Sequence, residues 1–146
     1  MPGELHDEIA GALVDVLRGL DIRADKWGPR NIKPLCAVVQ LPVIRRTDPD
    51  GAEDHLGARD WRLEYPVYFY NELTEKPQPV QAELLKQTVR FIDAIDELTP
   101  GAEGLVLSDL CADAKVTQSI PFVEPREGQK RDLIGYETTV SILTFK

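Results

Sequence analysis

Trp61-Arg62-Leu63-Glu64-Tyr65-Pro66-Val67-Tyr68-Phe69-Tyr70 alternates with a period of two. Trp61, Leu63, Tyr65, Val67 and Phe69 share one parity; Arg62, Glu64, Pro66, Tyr68 and Tyr70 share the other. Successive side chains on a strand point to opposite faces, so this is a strand with one core face. Pro66 has no N–H to give a ladder, which predicts an edge strand or a bulge. A strand that is apolar on one side needs a covering layer, and its flanks contain two candidates.

Toward the N-terminus, residues 4–20 carry Leu5, Ile9, Leu13, Val16, Leu17 and Leu20 at helical spacing. Gly19, Gly28 and Pro29 mark the end of this helix and the connection after it. Leu35–Ile44 is apolar on both parities and bounded by Pro34 and Pro42, so it reads as a central strand covered on both faces. Arg45–Asp60 has no period. Its Asp48-Pro49-Asp50-Gly51 is turn chemistry, and the segment reads as a long polar loop.

Toward the C-terminus, Pro77 and Pro79 introduce a second helix near 79–98. Val80, Leu84, Leu85, Thr88, Val89, Ile92, Ile95 and Leu98 form its stripe, and Pro100-Gly101 ends it. Residues 105–111 fit neither period. Strands are expected near 114–123 and 133–145, joined by a charged hairpin tip, Glu124–Asp132. In the last strand Ile134, Tyr136, Val140 and Ile142 oppose Glu137, Thr139 and Ser141. The order α-β-β-α-β-β predicts an α+β fold: a four-stranded, mainly antiparallel sheet with two long helices packed on one face. At 146 residues the chain suits a single domain spanning 1–146.

The formal charge is −8. That argues against tight duplex binding, which needs clustered Lys and Arg, and against docking on anionic membrane. The acidic first residues lack a basic and apolar leader, and no apolar run approaches the ~20 residues of a membrane helix. Cys36 and Cys111 sit among apolar residues and read as buried small hydrophobes, which fits a reducing compartment.

Each candidate for chemistry has a plainer reading. His6 and His55 have no partners at zinc spacing. Asp48, Asp50, Glu53 and Asp54 could face calcium, but Gly51 and Pro49 break the EF-hand pattern. Ser108, Ser119 and Ser141 lack a nucleophile elbow, and no glycine-rich phosphate loop occurs. Asp93, Asp96 and Glu97 read as an exposed helix face. Trp61, Tyr65 and Phe69 could stack bases, but on a core parity they read as packing. No catalytic residue, metal ligand or cofactor site is therefore expected, and the chain reads as a non-enzyme.

The segment order resembles the tail terminator proteins of long-tailed, siphovirus-like bacteriophages. An amphipathic helix precedes the proline-led strand Lys33-Pro34-Leu35-Cys36-Ala37-Val38-Val39-Gln40-Leu41-Pro42. An acidic, glycine-containing loop enters the Trp61 strand. After the second helix, a charged tip leads into Asp132-Leu133-Ile134-Gly135-Tyr136-Glu137-Thr138-Thr139-Val140-Ser141-Ile142-Leu143-Thr144-Phe145. The likeness spans nearly the whole chain and rests on pattern and order.

The resemblance implies a ring of identical subunits, commonly a hexamer, that caps the tail tube and offers a surface for head attachment. Its partners would be itself, the tail tube protein and a head–tail connector or completion protein. DNA would pass through the lumen without specific binding. The location implied is the head-proximal end of the virion tail, reached from the host cytoplasm during assembly. Rings need head-to-tail contacts, and polar loops of mixed charge are candidates to supply them. From the first loop these are Arg45, Arg46, Asp48, Asp50, Glu53, Asp54 and Arg59; from the tip, Arg126, Glu127, Lys130 and Arg131. The alternatives are another neck or head-completion protein of the virion, or a small ligand-binding or catalytic domain.

Overall fold

The computed structural model describes residues 3–27, 36–47, 60–73, 77–125, 128 and 131–145. Its elements are α1 (Gly3–Gly19), β1 (Arg23–Lys26), β2 (Cys36–Val39), β3 (Val43–Thr47), β4 (Asp60–Glu72), α2 (Pro77–Asp96), β5 (Asp113–Glu124) and β6 (Leu133–Phe145). The strands form one mixed six-stranded sheet in the order β1-β2-β4-β6-β5, with β3 also on β4. This corrects the expected four-stranded, mainly antiparallel sheet with two helices on one face.

Two strands account for the difference. β1 is Arg-Ala-Asp-Lys, in which Ala24 alone is buried. Four such residues carry no period. They become a strand by pairing in parallel with β2, from Arg23↔Cys36 to Lys26↔Val39. The expected strand Leu35–Ile44 is two strands. β2 pairs with Val67–Tyr70 and β3 with Asp60–Glu64, both antiparallel. The expected loop Arg45–Asp60 therefore starts as strand: Arg45, Arg46 and Thr47 belong to β3 and Asp60 to β4. Residues 48–59 lie outside the described residues.

The break between β2 and β3 also explains Pro66. β4 is a central strand, with β2 and β3 on one side and β6 on the other. Pro66 is not at an edge, contrary to the first of its two expected settings. It stands between the last β2 pairing, Val39↔Val67, and the first β3 pairing, Val43↔Glu64. Its missing N–H costs little where the neighbouring ladder is interrupted, and its carbonyl still accepts from the Gln40 N–H at 2.9 Å.

The odd parity of β4 builds the main core. Leu63, Tyr65, Val67 and Phe69 pack with Ile9, Leu13 and Leu17 of α1 and with Leu84, Phe91 and Ile95 of α2. The rings of Phe69 and Phe91 lie 5.4 Å apart. The other parity carries a smaller cluster of Cys36, Val38, Tyr70 and Leu133, flanked by Tyr68 and Phe122.

α1 ends in a left-handed cap. Ile22 N–H donates to Leu17 O at 3.1 Å and Asp21 N–H to Arg18 O at 3.0 Å, with Asp21 at φ 61°. These are the two bonds of a Schellman motif, with Asp in the position glycine usually takes. Arg18 then donates to the Ala24 carbonyl at 3.0 Å, tying helix end to β1.

Residues 105–111 resist a period because their backbone is left-handed. Leu107, Ser108 and Asp109 have φ of 54°, 57° and 62° in succession, closed by a bridge between Val106 and Cys111. No side-chain pattern announces such a turn, because non-glycine residues seldom adopt it.

Candidate functional site

The expected loop residues divide three ways. Arg45 is an exposed strand residue on β3, and its Nε pairs with Glu64 of β4. Arg46 stands opposite Trp61 in the β3–β4 register. Arg131 is exposed just before β6. Asp48, Asp50, Glu53, Asp54 and Arg59 lie outside the described residues, as do Arg126, Glu127 and Lys130. Arg45 and Arg46 are thus corrected from loop to strand, where β4 serves as their template.

Larger features come from apolar side chains left in water. Leu41, Val43 and Ile44 are 63%, 51% and 55% exposed along the β3 edge. β3 has β4 as its one strand partner among the described residues. On the far side of the sheet, Leu85, Val89, Ile120 and Val123 are 50%, 43%, 47% and 64% exposed. These come from α2 and from β5, the terminal strand on that side.

Between α2 and the β5–β6 hairpin lies a groove of about 540 Å³. Leu85 and Ala82 line it from the helix, Phe122 and Val123 from β5, and Gly135 and Tyr136 from β6. The groove follows from how α2 is turned. Its buried stripe is Leu84, Thr88, Phe91 and Ile95, which rotates Leu85 and Val89 out to the flank. Tyr136 and Ile134 of β6 face the groove from below. The lining is mostly apolar, with Gln81 at its polar rim, so the groove favours an apolar segment over an ion or a nucleotide.

The face of the sheet away from this core is polar at its centre. Arg62 donates to Ser141 Oγ at 2.7 Å, and the Tyr68 hydroxyl donates to Glu137 at 2.6 Å. These bonds run between facing residues of β4 and β6, or their neighbours, and satisfy one another within the sheet.

Perturbed groups are structural. Burial pushes the Cys111 thiol up to about 12, helped by the charge of Asp113. Burial also raises Cys36, partly offset by a hydrogen bond with Tyr70. In both, burial favours the neutral thiol. Burial raises Tyr65, whose hydroxyl donates to the His6 carbonyl at 2.7 Å. Among the described residues no three His, Cys, Asp or Glu side chains gather as metal ligands. Among the same residues no helix is long and apolar enough to cross a membrane.

Sequence reasoning missed the groove. Leu85 and Val89 were visible as part of the α2 stripe, but the rotation of that helix over the sheet decides which apolar residues stay outside. No known protein family matches the chain, and no curated protein resembles it in sequence.

Proposed function

We propose that this chain is a structural subunit that closes head to tail into a ring and caps a phage tail tube, ending its growth. One observation carries the reading: two unlike apolar surfaces lie on opposite edges of one sheet, Leu41–Ile44 on one side and the α2–β5 groove on the other. A head-to-tail ring needs two different patches on each subunit, facing opposite ways. The resemblance in segment order to tail terminators supplies the biological setting.

A tube of stacked identical rings has no intrinsic end, because each added ring re-creates the surface that accepts the next. A cap matches that surface on one side and withholds it on the other. In the sequence, segments 48–59 and 124–132 carry the charged residues that would make such axial contacts. The partners would be the tube protein on one side and a connector or completion protein on the other. A closed ring engages all its sites together, so weak single contacts suffice.

The test joins microscopy and genetics. The purified protein at high concentration should form rings by negative stain, and removing it from its phage should leave headless tails of excessive length. A protein that stays monomeric, with tails of normal length in its absence, overturns the proposal. Rings with normal-length tails would move it to a neighbouring neck protein.

A further inference from the structure

We propose that the lateral contact of this ring is made by Leu41–Ile44 of one copy seating against the α2–β5 groove of the next; the inference rests on the ring reading above. The occupant is a second copy because the chain carries both halves of the contact. The β3 side and the β5 side are opposite margins of one sheet, so a rotation that brings one margin to the other leaves each subunit with the same pair still to offer. A symmetric pairing of groove with groove would leave the β3 margin uncovered.

The two margins match on both faces. Ile44 stands opposite Leu63, whose side chain is in the main core, so Ile44 projects on the helix side. Val43 stands opposite Glu64 and projects on the other side. On β5, Val123 stands opposite Ile134 of the main core, and Ile120 stands opposite Glu137 of the polar face. Continuing the sheet from copy to copy keeps the helices on one side. Ile44 then meets Leu85, Val89 and Val123, while Val43 meets Ile120. Each of these six is at least 43% exposed in the single chain, and apolar area removed from water drives association.

β5 also limits how the contact is made. It has a register shift between Val116 and Gln118, and Pro121 brings no N–H. Both features shorten any main-chain ladder that a second strand could add, and both guard an edge against indiscriminate pairing. Side-chain packing into the groove, rather than a long added strand, therefore carries the contact.

Cross-linking tests it. Ile44→Cys and Leu85→Cys are made separately, then mixed in equal amounts at ring-forming concentration and oxidised. A disulfide needs Cα atoms within about 7 Å, and the native Cys36 and Cys111 are buried. The expected result is a covalent dimer in the mixture and none in either variant alone. Dimers within a single variant would mean a symmetric contact and overturn the inference. Rings seen in the same samples without the mixed cross-link would overturn it while leaving the ring reading intact. Absence of any ring would remove both. As a second arm, Leu85→Glu should melt within a few degrees of the parent, because the side chain is half exposed, and should associate at least tenfold more weakly. Unchanged association by that variant refutes the contact.

Discussion

Among the described glycines, Gly135 is the one a side chain would crowd most. It stands opposite Tyr70 on β4 and Phe122 on β5, two rings that need room on the same face. A Cβ placed there would drive into the Phe69 carbonyl and crowd the Tyr70 backbone. No flexible side chain can yield, because the obstructing atoms are backbone of the central strand. Gly135→Ala is therefore expected to cost about 3 kcal/mol or more, the upper range for overpacking. Urea midpoints measure this. Gly19→Ala is the matched control: nothing lies within 4 Å of its Cβ, and it closes a helix. Replacing a helical glycine should gain up to about 1 kcal/mol. Equal midpoints for the two variants would contradict the steric account.

At the scale of elements, the corner between α1 and β1 is held by Asp7. Its carboxylate accepts from Lys26 Nζ at 2.8 Å and from Trp27 Nε1 at 3.1 Å. The hydrogen bond from Lys26, then that from Trp27, holds the Asp7 carboxyl below its ordinary value of 3.8. A depressed folded value means the folded state favours the charged form. The stabilisation is present above pH 3.8 and is lost as pH falls through the lower folded value. Asp7→Asn should therefore lower the melting temperature at pH 7, with the gap to the parent closing below about pH 4. The site is solvent-exposed, so the effect should be small and should shrink in salt. A gap that stays constant from pH 7 to pH 2 would rule out the charge as its cause.

The elements legible in the sequence were those with a long period. α1, α2, β4 and β6 are each longer than ten residues, and the apolar parity of β4 and β6 faces the core, whereas the expected α2 stripe included the exposed Leu85 and Val89 and omitted the buried Phe91. β1 was not legible, because Ala24 alone signals burial and its partner β2 supplies the order. Val43 and Ile44 of β3 read as the end of the preceding strand, and Arg45-Arg46-Thr47 read as loop because of their loop composition; β4, thirteen residues long, makes all five a strand by template. The left-handed run Leu107–Asp109 and the Asp21 cap take conformations that favour glycine, yet contain none. Of the candidate site, Arg45 was visible as a surface charge but not as the partner of Glu64. The groove depends on helix rotation, which no one-dimensional period encodes.

At the scale of the whole molecule, charge and apolar surface make opposite demands on a ring. Each copy carries a formal charge of −8, so neighbouring copies repel. The lateral contact proposed here is apolar and takes nothing from ion pairs. Added salt shortens the Debye length from about 10 Å at 0.1 M to about 3 Å at 1 M. It should therefore screen the repulsion and leave the attraction whole. Lateral association, followed by sedimentation, is expected to tighten or hold as salt rises. Cooling should loosen it, because burial of apolar surface weakens at low temperature. Axial docking on a tube through the charged segments 48–59 and 124–132 should behave in the opposite way and weaken with salt, which co-pelleting with tubes would reveal. The two responses separate the contacts within one particle. A ring that falls apart in salt while its axial docking persists would reverse the assignment, moving the lateral contact to the charged segments and the axial one to the apolar margins.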